Sequence, residues 1–143
     1  MPRERESARL SVMLTHLHRE MSRVFSQQAG MSFSRILVLH ELKHSGEVSQ
    51  SELQRRLAME GALLTRFVKE METEGLVTRR VDPRDNRFTL VTLTPAGRQL
   101  LDGLSARTDE LEARLLEGLS EEERAAMARG MERMLQNLSR WQE

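Results

Sequence analysis

A chain of 143 residues with 22 basic and 22 acidic side chains, 4 histidines and no cysteine is long enough for one domain with a real core and too short to expect two independent ones. The lack of cysteine excludes a disulfide scaffold, a thiolate zinc site and a thiol redox sensor together. The charged start Met1-Pro2-Arg3-Glu4-Arg5-Glu6, and apolar runs no longer than Ile36 to Leu39, predict a cytoplasmic chain that is neither secreted nor membrane-spanning.

Scarce aromatics, plentiful methionine and a high charged fraction favour a largely helical fold. The neutral total hides a gradient. Residues 1–48 carry 7 basic and 5 acidic groups, residues 49–98 carry 9 and 7, and residues 99–143 carry 6 and 10. In the mildly basic middle, Arg79, Arg80, Arg84, Arg87 and Arg98 face only Asp82 and Asp85, which is where phosphate contacts are expected.

From Leu10 the apolar positions Leu10, Leu14, Leu17, Met21 and Val24 mark one stripe of a helix that Ala29-Gly30 ends. Ser32 is the expected N-cap of a second helix. Its Phe33, Ile36, Leu37, Leu39 and Leu42 form a stripe too wide for a surface helix, so it is predicted central and buried, ending at Ser45-Gly46. After a short strand at Val48, Ser49-Gln50-Ser51-Glu52 reads as a capping box opening a short helix, Gln50 to Ala58. A further helix runs from Glu60 to Glu74. Gly75 can take the left-handed position beyond it, and Leu76 can fold back onto Met71.

Leu76 to Val81 and Phe88 to Leu93 read as strands joined by the turn-forming Asp82-Pro83-Arg84-Asp85-Asn86. Thr94-Pro95 opens a helix carrying Leu100, Leu104, Leu111 and Leu115, predicted to exceed about two dozen residues. A second capping box, Ser120-Glu121-Glu122-Glu123, starts the last helix. Its stripe is Met127, Met131, Met134, Leu138 and Trp141.

This order places two short helices directly before a β-hairpin, the layout of a mainly α winged helix-turn-helix (α+β in its winged core). Three segments follow: an N-terminal dimerisation helix over 1–30, a DNA-binding core over 31–95, and C-terminal dimerisation helices over 96–143. The second short helix puts Leu64, Phe67, Val68 and Met71 on one side and Ala62, Thr65, Arg66 and Lys69 on another. The second face, with Gly61 at its start, suits insertion into a major groove, where arginine bridges guanine O6 and N7. Ser49, Gln50 and Ser51 would flank it, and Arg79, Arg84, Asn86 and Arg87 would reach double-stranded DNA from the hairpin. One such helix reads too few base pairs for operator-level affinity, so a homodimer is expected. Its interface would use the Leu10, Leu14, Leu17 stripe and the Met127, Met131, Met134, Leu138, Trp141 stripe.

The stretches Gln50-Ser51-Glu52-Leu53, Leu64-Thr65-Arg66, Glu74-Gly75-Leu76-Val77 and above all Asp82-Pro83-Arg84-Asp85-Asn86-Arg87 leading to Leu93-Thr94-Pro95-Ala96-Gly97 resemble the multiple antibiotic resistance regulator (MarR) family of winged-helix repressors. The resemblance covers nearly the whole chain. It implies that Arg87 is the wing arginine, oriented by the acidic residues Glu60, Asp82 and Asp85, with Glu60 as its ion-pair partner. The family often has aspartate where this chain has Glu60 and arginine where it has Asn86. The resemblance also implies release from a pseudo-palindromic operator by a small anionic or aromatic effector, bound near Met13, His16, Leu17, Phe33 and Ile36. With no cysteine and its single tryptophan at position 141, the chain matches neither the peroxide-sensing nor the urate-sensing branch.

One motif points elsewhere. His40-Glu41-Leu42-Lys43-His44 spells the H-E-x-x-H of zinc peptidases. Gly46 ends the helix just after the second histidine and no third ligand follows at suitable spacing, so no enzyme, cofactor or metal is expected. The alternative within the same fold is a zinc-responsive regulator using His16, His18, His40 and His44, completed by a carboxylate such as Glu20 or Glu41.

Overall fold

The structure is a computed structural model that describes residues 2–142, with side chains for residues 8–141. In chain order it comprises α1 (Pro2–Ala29), α2 (Phe33–Ser45), β1 (Val48–Ser49), α3 (Gln50–Leu57), α4 (Gly61–Thr73), β2 (Val77–Val81), β3 (Thr89–Leu93), α5 (Pro95–Leu115), α6 (Glu121–Ser139) and a 3-10 turn, Arg140–Gln142. Two compact units divide within α5, at Met1–Thr108 and Asp109–Glu143. Among the described residues, no helix is long and apolar enough to cross a membrane.

The core of the first unit lies between α2, α3, α4 and the sheet. Val38, Leu39, Leu53, Leu64, Val68, Met71 and Val91 are fully enclosed there. The sheet order is β1-β3-β2, all antiparallel. Val91 sits on the central strand, opposite Val48 on one side and Arg79 on the other. Burying Val77, Val91 and Leu93 on one face leaves Thr78, Arg80, Leu90 and Thr92 on the other.

Local signals set most element ends. Gly30, Gly46 and Gly75 all take positive φ at the positions that stop α1, α2 and α4. At the last of these, the Leu76 amide donates to the Met71 carbonyl at 2.8 Å and the Gly75 amide to Glu72 at 3.0 Å, the paired bonds of a Schellman end. Thr94 caps α5 by accepting from the Gly97 amide at 3.0 Å, while its own hydroxyl donates to the Gly75 carbonyl at 2.6 Å. This joins the end of α4 to the start of α5. In the second unit, Gly118 (φ 84°) turns the chain and both bonds of the Ser120/Glu123 capping box form, at 3.1 and 3.2 Å.

Several expectations need correction. Ser32 occupies the N-cap of α2 but makes no side-chain cap. The Phe33 amide is instead satisfied by the Ser26 hydroxyl of α1 at 2.9 Å, a tertiary substitute that sequence spacing does not show. Leu37 is exposed and Val38 takes the buried place, because the core lies on the side of α2 that positions 38, 39 and 42 share. Helix α5 stops at Leu115 after 21 residues, short of the predicted length. The last apolar residue of the α6 stripe, Trp141, lies in the 3-10 turn rather than on the helix. At Ser49 only half the capping box forms. Its hydroxyl accepts from the Glu52 amide at 3.2 Å, but the Glu52 carboxylate turns to Arg55 and Arg56 at 2.9 and 3.0 Å.

Candidate nucleic-acid interface

Helices α3 and α4 meet through a tight turn at Ala58, whose φ of 48° and ψ of 40° place it in the left-handed region. Gly61 lets the start of α4 approach α3 closely, since a Cβ there would lie 3.0 Å from the Gln54 amide oxygen. Leu64, Phe67, Val68 and Met71 are buried beneath α4, while Ala62, Arg66 and Lys69 are exposed and Thr65 half-buried on its other side. The Gln50 amide donates to the Thr65 hydroxyl at 2.7 Å, tying the first residue of α3 to the middle of that face. Arg66 lies over the Phe67 ring at 5.3 Å and within 3.7 Å of Glu70. Ser49 and Ser51 approach each other at 3.3 Å beside Gln50.

The hairpin carries its charge unevenly. At its base Arg79 is held by Glu72 of α4 at 2.9 Å and is half-buried, so it braces the hairpin against α4. Arg80 lies in a fork against Glu47, at 2.7 and 3.0 Å, and Thr92 donates to the same carboxylate at 2.9 Å. Hydrogen bonds from Arg80 and then from Thr92 hold Glu47 down at about 2, against an ordinary 4.5. The cationic segment therefore faces more than Asp82 and Asp85: Glu47 and Glu72, both outside it, neutralise its base.

At the tip, Asp82 accepts from the Arg84 amide at 2.9 Å and leaves the Arg84 side chain exposed. Arg87 pairs with Asp85 at 2.7 Å, not with Glu60. The physical reason is proximity along the chain: a carboxylate two residues back in the same turn is reached with less ordering than one on another helix. Asn86 is exposed between them. The pairing of Glu47 with Arg80 is not among the sequence expectations. Its signal is the strand register: with Val48 opposite Val91, Glu47 falls opposite Thr92, and Arg80 follows on the same polar face.

The histidine-based candidate sites do not assemble among the described residues. His40 and His44 stack at 6.1 Å, but Glu41 between them accepts from Ser45 at 2.8 Å and Arg56 at 3.3 Å. Those bonds, the Ser45 one first, hold its carboxyl below the usual range and occupy the group a peptidase would need as its base. Among the described residues, no three of His, Cys, Asp and Glu gather in a metal-holding group, so His16, His18, His40 and His44 do not form the site considered above. Of the five residues expected near an effector, Met13, His16 and Leu17 lie on α1 and Phe33 and Ile36 on α2. Ile36 is in the core, Phe33 packs on Phe25 at 5.1 Å, and Met13 and Leu17 are exposed. His16 lines an open groove of about 420 Å³ shared with Ser11, Val12, Thr15 and Arg19. Leu10, Leu14 and Leu17 on α1, and Met127, Met131, Met134, Leu138 and Trp141 near the C-terminus, are all exposed apolar residues.

The sequence pattern of the MarR family matches residues 31–89, the span from α2 to the start of β3. Over 134 residues the chain is 34% identical to the uncharacterized HTH-type transcriptional regulator YdgJ of Bacillus subtilis, covering 94% of this chain and 82% of that one. A mutant MarR from E. coli, solved in complex with operator DNA, has the same fold, with a TM-score of 0.82 at 21% identity over 91% of this chain and 96% of that one. So does Bordetella bronchiseptica BpsR, whose DNA binding is regulated by 6-hydroxynicotinic acid, with a TM-score of 0.80 at 23% identity over 88% and 98% of the two chains.

Proposed function

The chain belongs to the MarR family of winged helix-turn-helix transcriptional regulators, and on that premise we propose that it is a homodimeric repressor that binds a pseudo-palindromic operator and is released by a small-molecule effector. The observation that carries this reading is the division of α4. One side is sealed into the core by Leu64, Phe67, Val68 and Met71, while Ala62, Thr65, Arg66 and Lys69 remain presented beside a hairpin tipped with Arg84 and Arg87. Gly61 at the head of α4, together with Ser49, Gln50 and Ser51 at the start of α3, would flank the groove. Asp82 and Asp85 shape the tip, and residues 31–95 act as the reading domain. Repression needs no more than occupancy of a promoter by such a dimer.

Homodimerisation is supported by the two exposed apolar stripes, over residues 1–30 and 96–143, which a second copy would cover. Operator DNA in the E. coli MarR structure and the 6-hydroxynicotinic acid response of BpsR support DNA and a small ligand as partners. The groove beside His16 and Arg19 would favour an anionic effector. A cytoplasmic location follows from the same reading. The test is a gel shift with the DNA that flanks the chain's own coding region. Salt-sensitive retardation that an unrelated duplex does not compete away supports the proposal. Retardation of every duplex alike, or of none, refutes it.

A further inference from the structure

Four threonines lie in helices, and three of them share one habit. Thr15 and Thr73 donate the hydroxyl hydrogen to the carbonyl four residues earlier, Ser11 at 2.9 Å and Lys69 at 3.1 Å, and Thr108 shares its own between the Ser105 carbonyl at 2.9 Å and that of Leu104 at 3.2 Å. This is the ordinary fate of a hydroxyl inside a helix. Thr65 departs from it. Its oxygen accepts from the Gln50 amide at 2.7 Å, and among the described residues it makes no bond to its own helix.

A hydroxyl has one hydrogen to give. One of its oxygen's two lone pairs is taken by the donor from α3 and its helix carbonyl is not used, so the Thr65 hydrogen stays available on the side of α4 that also bears Ala62, Arg66 and Lys69.

We propose that Gln50 is a positioning residue for Thr65: by donating to the hydroxyl oxygen it favours Thr65 as a hydrogen-bond donor toward a base edge in the major groove. The inference rests on the DNA-binding reading above and adds a rule of specificity to it. Purine N7, guanine O6 and thymine O4 are acceptors in that groove, whereas cytosine offers only its N4 amino donor. At the base that Thr65 meets, cytosine is therefore disfavoured, because the Thr65 hydrogen would face the cytosine N4 donor.

The rule reverses with a single substitution. A glutamate at position 50 can only accept, so Thr65 must donate to it and present its oxygen lone pairs to the groove. Adenine N6 and cytosine N4 then become the favoured partners.

The experiment is selection from random-sequence duplexes by the full-length protein, followed by base-preference profiles for wild type, Gln50→Ala, Gln50→Glu and Thr65→Val. Wild type should reject cytosine at one position per half-site by about fivefold, the effect of one hydrogen bond. Gln50→Ala and Thr65→Val should flatten that position alone. Gln50→Glu should admit cytosine there, whatever it does to overall affinity. A protein that fails to fold enriches no sequence, and Thr65→Val, nearly isosteric, carries the comparison if Gln50→Ala is lost. The proposal is overturned if both Gln50 variants keep the wild-type profile and lose affinity equally for all sequences with a shallower salt slope, which marks a phosphate contact. A wild-type selection with no consensus overturns the DNA-binding reading itself.

Discussion

Arg87 lies in a fork against Asp85, with Nε 3.0 Å from Oδ1 and Nη2 2.7 Å from Oδ2, while its own amide donates to the same Oδ1 at 3.1 Å. The guanidinium hydrogen bonds hold the Asp85 carboxyl below its usual range. The Arg87 side chain nevertheless stays 81% exposed, so it is oriented without being covered. Arg87→Ala should lower operator affinity by about tenfold or more at about 0.15 M salt, beyond the loss of one phosphate contact. Arg84→Ala should cost less, since the Arg84 side chain is exposed without such an orienting fork. Fluorescence anisotropy with a labelled operator measures both, and wild-type affinity in Arg87→Ala would refute the wing assignment.

Gly97 is required by packing. A Cβ there would stand 2.2 Å from the Leu76 carbonyl oxygen and 2.7 Å from Leu93 Cδ1. The first neighbour is backbone within the α4 end and cannot move without breaking the Thr94 links. Gly97→Ala should destabilise the fold by about 3 kcal/mol, read as a fall in the urea midpoint. An unchanged midpoint would contradict the close approach.

Ala58 carries the opposite lesson. A non-glycine residue at φ 48° costs energy that a glycine avoids. Ala58→Gly should raise stability by about 0.5–1 kcal/mol and leave DNA affinity unaltered, because the turn keeps its geometry. A loss of stability in the same urea assay would mean the turn is not left-handed.

Acid should weaken the Glu47 anchor of the hairpin and the Glu52 pairs within α3. The Arg80 and Thr92 bonds hold Glu47 at about 2, and the Arg55 and Arg56 bonds hold Glu52 at about 2, both from an ordinary 4.5. A carboxyl lowered by folding binds fewer protons in the native state than in the unfolded one. Its stabilisation is therefore full above 4.5 and fades as pH falls toward about 2. Urea midpoints followed down from about pH 5 should decline, and Glu47→Gln should decline less steeply. Parallel curves would show that the Arg80 fork does not contribute in solution.

How far the sequence reached depends on the range of the interaction. The Ser120/Glu123 box and the Gly75 helix end were legible because each is closed by residues three to five apart. The same spelling at Ser49 misled because Arg55 and Arg56, one turn on, compete for the Glu52 carboxylate. The buried side of α4 followed from periodicity, whereas the partner of Arg80 lies 33 residues away and needs the strand register. For Arg87 the nearer carboxylate prevailed over the one that family resemblance implied. The presented face of α4 was therefore readable in advance, but the Gln50 bond that orients Thr65 was not, since nothing local joins positions 50 and 65.

The central claim is that two copies of this chain read one DNA sequence together. Sedimentation velocity of a labelled operator duplex with the protein at about 0.15 M salt tests it directly. The expected result is a complex of one duplex and two chains that a scrambled duplex of the same length does not form at the same concentration. One chain per duplex, or equal binding to the scrambled sequence, would contradict it.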